Sequence, residues 1–191
     1  MSNITPHQIT SFINSFNGGY RPNRFIVEGS IGADKQVTKF HIQSASLPGS
    51  KISTMEIPYR GRVFKMPGNR EYTGWDIIVL DDTDEAGGTK LWDSFHLWSE
   101  NFNDHVTNKI DSSIAFSFGA ATPSQDAAGK GMNNWTVKQL DIDGISRKEM
   151  TLVNCWPSKV GPIMLSMDKN DELVTFSVTL QYQYLSDILD K

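Results

Sequence analysis

From Arg24 the chain alternates with a period of two, Phe25, Val27, Gly29 and Ile31 on one side and Arg24, Ile26, Glu28 and Ser30 on the other. That spacing predicts a half-buried β-strand. A second run, Val37 to Ser44, sets Phe40 and Ile42 against Lys39, His41 and Gln43 and predicts a hairpin partner across Gly32-Ala33-Asp34. Upstream, Thr5-Pro6-His7-Gln8 has the order of a capping box with proline at the first helical position, and Ile9, Phe12, Ile13 and Phe16 follow on one helical face. Trp75 to Leu80 is apolar on both faces apart from Asp76, as in a central strand. Leu91, Phe95, Trp98 and Phe102 then repeat at helical spacing, after the acidic run Asp81-Asp82-Thr83-Asp84-Glu85 at the helix start. Ile114 to Phe118 reads as a strand, and 119–134, rich in Gly, Ala, Ser and Asn, as a flexible surface loop. Two strand pairs complete the chain: Trp135 to Ile142 with Glu149 to Asn154, and Gly161 to Met167 with Leu173 to Tyr184. In the last of these, Val174, Phe176, Val178, Leu180, Tyr182 and Tyr184 oppose Thr175, Ser177, Thr179, Gln181 and Gln183, an apolar face against a small, uncharged, polar one. Such a polar face suits a wide aqueous channel and equally any half-exposed antiparallel sheet. The expected fold is mainly antiparallel β, a sandwich or barrel with a flanking α-helix and a short N-terminal helix, in one domain spanning 1–191 with a tail at 186–191.

Leu47 to Tyr72 departs from this rhythm. Pro48, Pro58 and Pro67 with Gly49, Gly61 and Gly68 punctuate short β-type pieces, Lys51 to Ile57 and Arg62 to Met66, as in an extended hairpin or arm beyond a sheet edge, because proline cannot donate to a central ladder. The arm carries Lys51, Arg60, Arg62, Lys65 and Arg70 against Glu56 and Glu71, a net +3. The whole chain has 18 Lys+Arg and 22 Asp+Glu, net −4, so everything outside the arm carries −7. An arm of this sign is expected to dock on an acidic protein surface.

The remaining composition removes function classes. A single cysteine, Cys155, allows neither an internal disulfide nor a cysteine zinc site. An acidic balance disfavours a protein that clings to nucleic acid over its whole surface. No stretch reaches the roughly 18 apolar residues of a membrane span, and Met1 to Tyr20 lacks the order of a secretory signal, so a soluble chain without membrane insertion is expected. Gly129-Lys130-Gly131 lacks the preceding glycine and following hydroxyl of a phosphate loop, with Ser124 and Gly131 at those places. Asp168-Lys169-Asn170-Asp171-Glu172 opens like a calcium loop, but Leu173 and Thr179 stand where Gly and Glu are required. His96 and His105 are spaced for no known zinc pair, and Cys155 has no base assigned by the sequence. No catalytic residue, metal ligand or cofactor is expected, and the chain reads as a non-enzyme.

Taken in order, Arg21-Pro22-Asn23-Arg24-Phe25, Leu47-Pro48-Gly49, Ile57-Pro58-Tyr59-Arg60-Gly61-Arg62, Pro67-Gly68-Asn69-Arg70 and Trp75 resemble the tail-tube family of contractile-tailed, T4-like bacteriophages. Cys155-Trp156-Pro157-Ser158-Lys159-Val160-Gly161 and Thr175-Phe176-Ser177-Val178-Thr179-Leu180 are similar to that family's closing hairpin. The resemblance implies a β-sandwich subunit that forms hexameric rings, stacked into a hollow tube within a sheath, through which DNA passes without specific binding. It further implies sheath, baseplate and tail-terminator partners, a place in the virion, and assembly in the host cytoplasm. The same fold serves the Hcp-like tubes of type VI secretion and contractile injection systems.

On that basis the 47–72 arm is expected to reach the neighbouring ring, with Lys51, Arg60, Arg62, Lys65 and Arg70 meeting Asp81, Asp82, Asp84 and Glu85. Thr175, Ser177, Thr179 and Gln181, with Glu28, are expected to face the lumen. The competing readings are a tube-initiator or baseplate protein, the tube of an injection device, and, in a different class, a monomeric carbohydrate-binding or small-ligand β-sandwich, which would need an aromatic cleft.

Overall fold

The computed structural model describes Ile9 and residues 20–31, 35–37, 41–81, 91–110, 131–168 and 171–187. Among the described residues, ten strands and a helix run in the order β1 (Phe25–Ile31), β2 (Lys35–Val37), β3 (Ile42–Ala45), β4 (Ser50–Tyr59), β5 (Arg62–Tyr72), β6 (Trp75–Leu80), α1 (Leu91–Glu100), β7 (Asn133–Leu140), β8 (Ser146–Val160), β9 (Thr175–Gln181) and β10 (Tyr184–Asp187). Apart from Ile9, the N-terminal helix expected near residues 5–17 lies outside the described residues, as do the 32–34 turn and the strand expected over Ile114 to Phe118.

Eight strands form one antiparallel path, β2-β1-β7-β8-β9-β6-β3, with β10 alongside β8; β4 and β5 form a separate two-stranded sheet. The path folds into two layers because β8 serves both. Its first part pairs with β7 and β10, and its last part with β9. The bend falls at Asn154, a left-handed residue (φ 57°) of a type that tolerates this backbone, whose amide donates to Asn134 Oδ1 at 3.0 Å. Pro157, buried in this strand, is followed by a register shift before Lys159, the setting in which a ladder accepts a residue without an N–H.

The core lies between the layers. Val27, Ile31, Trp135, Val137 and Leu152 come from one, and Trp75, Ile77, Val79, Phe176, Val178 and Leu180 from the other. Trp75 and Trp135 meet edge to face across the gap, with ring centroids 6.1 Å apart. The helix closes the core with Leu91, Phe95 and Trp98, the spacing read from the sequence; Phe95 touches both Trp135 and Phe176. Trp98 Nε1 donates to the Gly131 carbonyl at 2.8 Å, and β7 begins at Asn133. The last residues of the expected surface loop are therefore part of the packed body.

Three expectations need correction. The run from Val37 to Ser44 is not one strand: β2 pairs with β1 as the hairpin partner, whereas β3 crosses to the other layer beside β6. No strand forms over Gly161 to Met167, because β8 itself continues to Val160 and supplies the partner of β9. The final strand breaks after Gln181; Tyr184 leaves the core face and starts β10 on Met150 to Val153, so Ser186 and Asp187 are strand and not tail.

Candidate assembly surfaces

The β4–β5 hairpin is built by its turn. Arg60 and Gly61 both have positive φ (44° and 81°), the two-residue geometry whose twist matches the flanking strands. Gly61 takes that conformation freely, and the Arg60 guanidinium lies 5.5 Å from the Tyr59 ring centroid. Pairing is Tyr59 with Arg62, Ile57 with Phe64 and Met55 with Met66, which places Met55, Ile57, Tyr59, Phe64 and Met66 on one face. On the other face Lys65 Nζ lies 3.4 Å from Glu56 Oε1. Nearer the root, Arg70 Nη1 donates to Ser50 Oγ at 3.0 Å.

The root is fastened and the remainder stands free. Trp75 Nε1 donates to the Ser46 carbonyl at 2.7 Å, and the Tyr72 and Tyr182 rings meet at 5.5 Å. Beyond that, every residue from Ser50 to Met66 except Ser53 is exposed, including Phe64 at 62% and Tyr59 at 66%. Reading the arm by its charges missed this apolar face. The alternation of Met55, Ile57 and Tyr59, answered by Phe64 and Met66, was the available signal.

Of the acidic group expected to receive the arm, only Asp81 is described; Asp82, Asp84 and Glu85 lie outside the described residues. Asp81 follows β6, and its amide donates to the Val174 carbonyl at 2.9 Å. One of its carboxylate oxygens is enclosed without a hydrogen bond among the described residues. It is thus only partly available to an incoming cation.

The polar row of β9 lies on the face opposite the core. Thr175, Ser177, Thr179 and Gln181 point away from the core, and Thr179 Oγ1 donates to Asp76 Oδ1 at 2.6 Å from the neighbouring strand. Glu28 is not brought beside them. It lies on β1, separated from β9 by β7 and β8 along the path, where Lys138 Nζ reaches its Oε2 at 3.0 Å and Glu149 Oε1 at 3.6 Å. Glu28 is the chief cause holding the Lys138 ammonium above its usual pKa.

The remaining chemistry candidates have structural roles. Cys155 is fully buried, its Sγ 3.4 Å from the Leu152 carbonyl, and burial pushes its thiol up to about 12. Asp104 Oδ1 accepts the Val106 and Thr107 amides at 2.8 and 2.7 Å, forming a turn after the helix; these bonds hold its carboxyl below the usual range. No cluster of three or more potential metal ligands occurs among the described residues, and no described helix is long and apolar enough to cross a membrane.

Comparison with known proteins gives this arrangement its context. Residues 20–186 match the family described as phage tail tube protein. The chain is 25% identical over 166 residues to the tail tube protein gp19 of Enterobacteria phage T4, covering 86% of this chain and 89% of that one. The corresponding T6 protein is 26% identical over the same length. In fold, the subunit is similar to a chain of the anti-feeding prophage baseplate (TM-score 0.61, 9% identity, 91% of this chain and 97% of that chain). It is also similar to a chain from the sheath-tube complex of an extracellular contractile injection system, PVC, in the extended state (TM-score 0.56, 17% identity, 93% and 96% covered). With all but the first residues and the last few inside the matched range, the chain belongs to the phage tail tube protein family.

Proposed function

We propose that copies of this tail tube protein close into hexameric rings that stack into the hollow inner tube of a contractile tail, with the β4–β5 hairpin as the arm joining one ring to the next. The observation that carries this reading is the hairpin itself. A two-stranded sheet is marginal in water on its own, and this one exposes five large apolar side chains on one face. A second subunit is the natural cover for such a face, and burying each side chain contributes about 1.5–3 kcal/mol. The basic residues Lys51, Arg60, Arg62, Lys65 and Arg70 then steer the arm toward acidic surface, Asp81 and the neighbouring Asp82, Asp84 and Glu85 included.

In this proposal the outward row of β9, Thr175, Ser177, Thr179 and Gln181, lines the channel. Glu28 is left out of this lining, because β1 belongs to the other layer and its outward face points away from the β9 row. A small, uncharged row in an acidic subunit holds few cations for phosphates, so DNA slides past without being bound. The sheath, baseplate and tail terminator are the proposed outer and end partners. The tube resides in the virion after assembly in the host cytoplasm, and the protein has no catalytic role.

The purified chain is expected to form tubes by negative-stain electron microscopy. Arg60→Glu with Arg62→Glu is expected to abolish tubes while circular dichroism stays that of the wild type. Normal tubes from that variant would refute the role of the basic arm.

A further inference from the structure

The hairpin leaves the body at one end of the β6–β9 pair, and a second exposed apolar element leaves at the other. Trp75, next to the hairpin root, pairs with Leu180, whereas Leu80 pairs with Thr175. The connection from Gly161 to Val174 joins β8 to β9 at this second end, about 20 Å along a six-residue strand from the root. Both of its ends are fastened. The Gly161 amide donates to the Ser177 carbonyl at 2.7 Å, Trp92 Nε1 donates to the Gly161 carbonyl at 3.1 Å, and the Asp81 amide holds the Val174 carbonyl. Between these anchors Met164, Leu165 and Met167 project at 83, 84 and 97% exposure, followed by Leu173 at 75%. A cluster of this kind marks an interaction site, and methionine suits it because its flexible side chain adapts to a partner.

We propose that the described parts of this β8–β9 connection, 161–168 and 171–174, form the socket for the apolar face of the β4–β5 hairpin of a second copy of this chain. The inference rests on the stacked-tube reading above and names the surface that receives the arm. Charge supports the match: the connection carries Asp168, Asp171 and Glu172 against Lys169, with Asp81 beside it, while the arm is net +3. Placement supports it as well. A plug and a socket on opposite ends of one subunit make a head-to-tail contact, the interface type that propagates along an axis. Another exposed apolar turn, Ile142 and Ile145 between β7 and β8, lies at the opposite terminus of β8 from the socket.

The test is cross-linking between two singly substituted chains, which the buried Cys155 leaves uncomplicated. Phe64→Cys protein is mixed with Leu165→Cys protein, assembled, and treated with a short bismaleimide; Ile142→Cys replaces Leu165→Cys in the control. The expected result is a covalent dimer at least about tenfold more abundant with Leu165→Cys than with Ile142→Cys, since proximity sets the effective concentration. Assembled tubes that cross-link equally with both, or better with Ile142→Cys, overturn the socket and leave the tube reading intact. Failure of the wild type to form tubes overturns both. As a second variant, Met164→Asp with Leu165→Asp, both at exposed positions, is expected to raise the critical concentration for tubes at least about 100-fold, because the charges would be buried unpaired. Unchanged assembly would again overturn the socket.

Discussion

At the residue scale the core is set by a few close fits. Gly29 lies directly opposite Trp135 on β7, and a Cβ at Gly29 would run into the indole ring. Gly29→Ala is therefore expected to cost about 1–3 kcal/mol in urea unfolding, since the ring, held against Trp75 and Phe95, has little room to move. Cys155 makes a different prediction. A pKa near 12 in place of 9.0 leaves about a thousandfold less thiolate at pH 8, so iodoacetamide should label the urea-unfolded chain and spare the folded one. Rapid labelling of the folded subunit would show that the thiol is not enclosed. The bare alternation of Phe25, Val27, Gly29 and Ile31 located this core face, but alternation does not reveal why a glycine stands among large residues. The indole opposite it does, and that pairing requires the register.

At the element scale β6 is legible as an apolar run, whereas periodicity found β1, β9 and α1, because each has one face in the core and the chain records it at a spacing of two or of 3.6. It failed where a strand changes partners. Val37 to Ser44 alternates throughout, yet β2 and β3 belong to different layers, and nothing in the alternation marks the crossing. β8 is 15 residues long because Asn154 takes a left-handed backbone and Pro157 adjoins a register shift, which keeps both residues inside the strand. The hairpin was legible from its prolines, glycines and charges; its apolar face was not weighed. Because β4 and β5 pair only with each other, Phe64→Ser with Met66→Ser is expected to shift the melting temperature of the unassembled subunit by no more than about 2 °C. The same variant should lose tubes. A large loss of subunit stability would mean that the hairpin belongs to the core.

For the whole molecule, the mild net charge of −4 conceals an uneven distribution. The positive charge stands on an arm at one end of a strand pair, and acidic residues gather with exposed Met164, Leu165, Met167 and Leu173 at the other end. The uncharged row of β9 lies on the outer face between them. A polar subunit of this kind has a direction, and direction is what a tail tube needs. Membership of the tail tube family agrees with that asymmetry, while the contacts proposed between subunits rest on the exposed surfaces. Electron cryomicroscopy of tubes grown from the purified chain tests this most directly. The predicted map has stacked hexameric rings, each hairpin crossing into the next ring and the β9 row facing the channel; hairpins folded back on their own subunits, or a β9 row turned outward, would contradict the account.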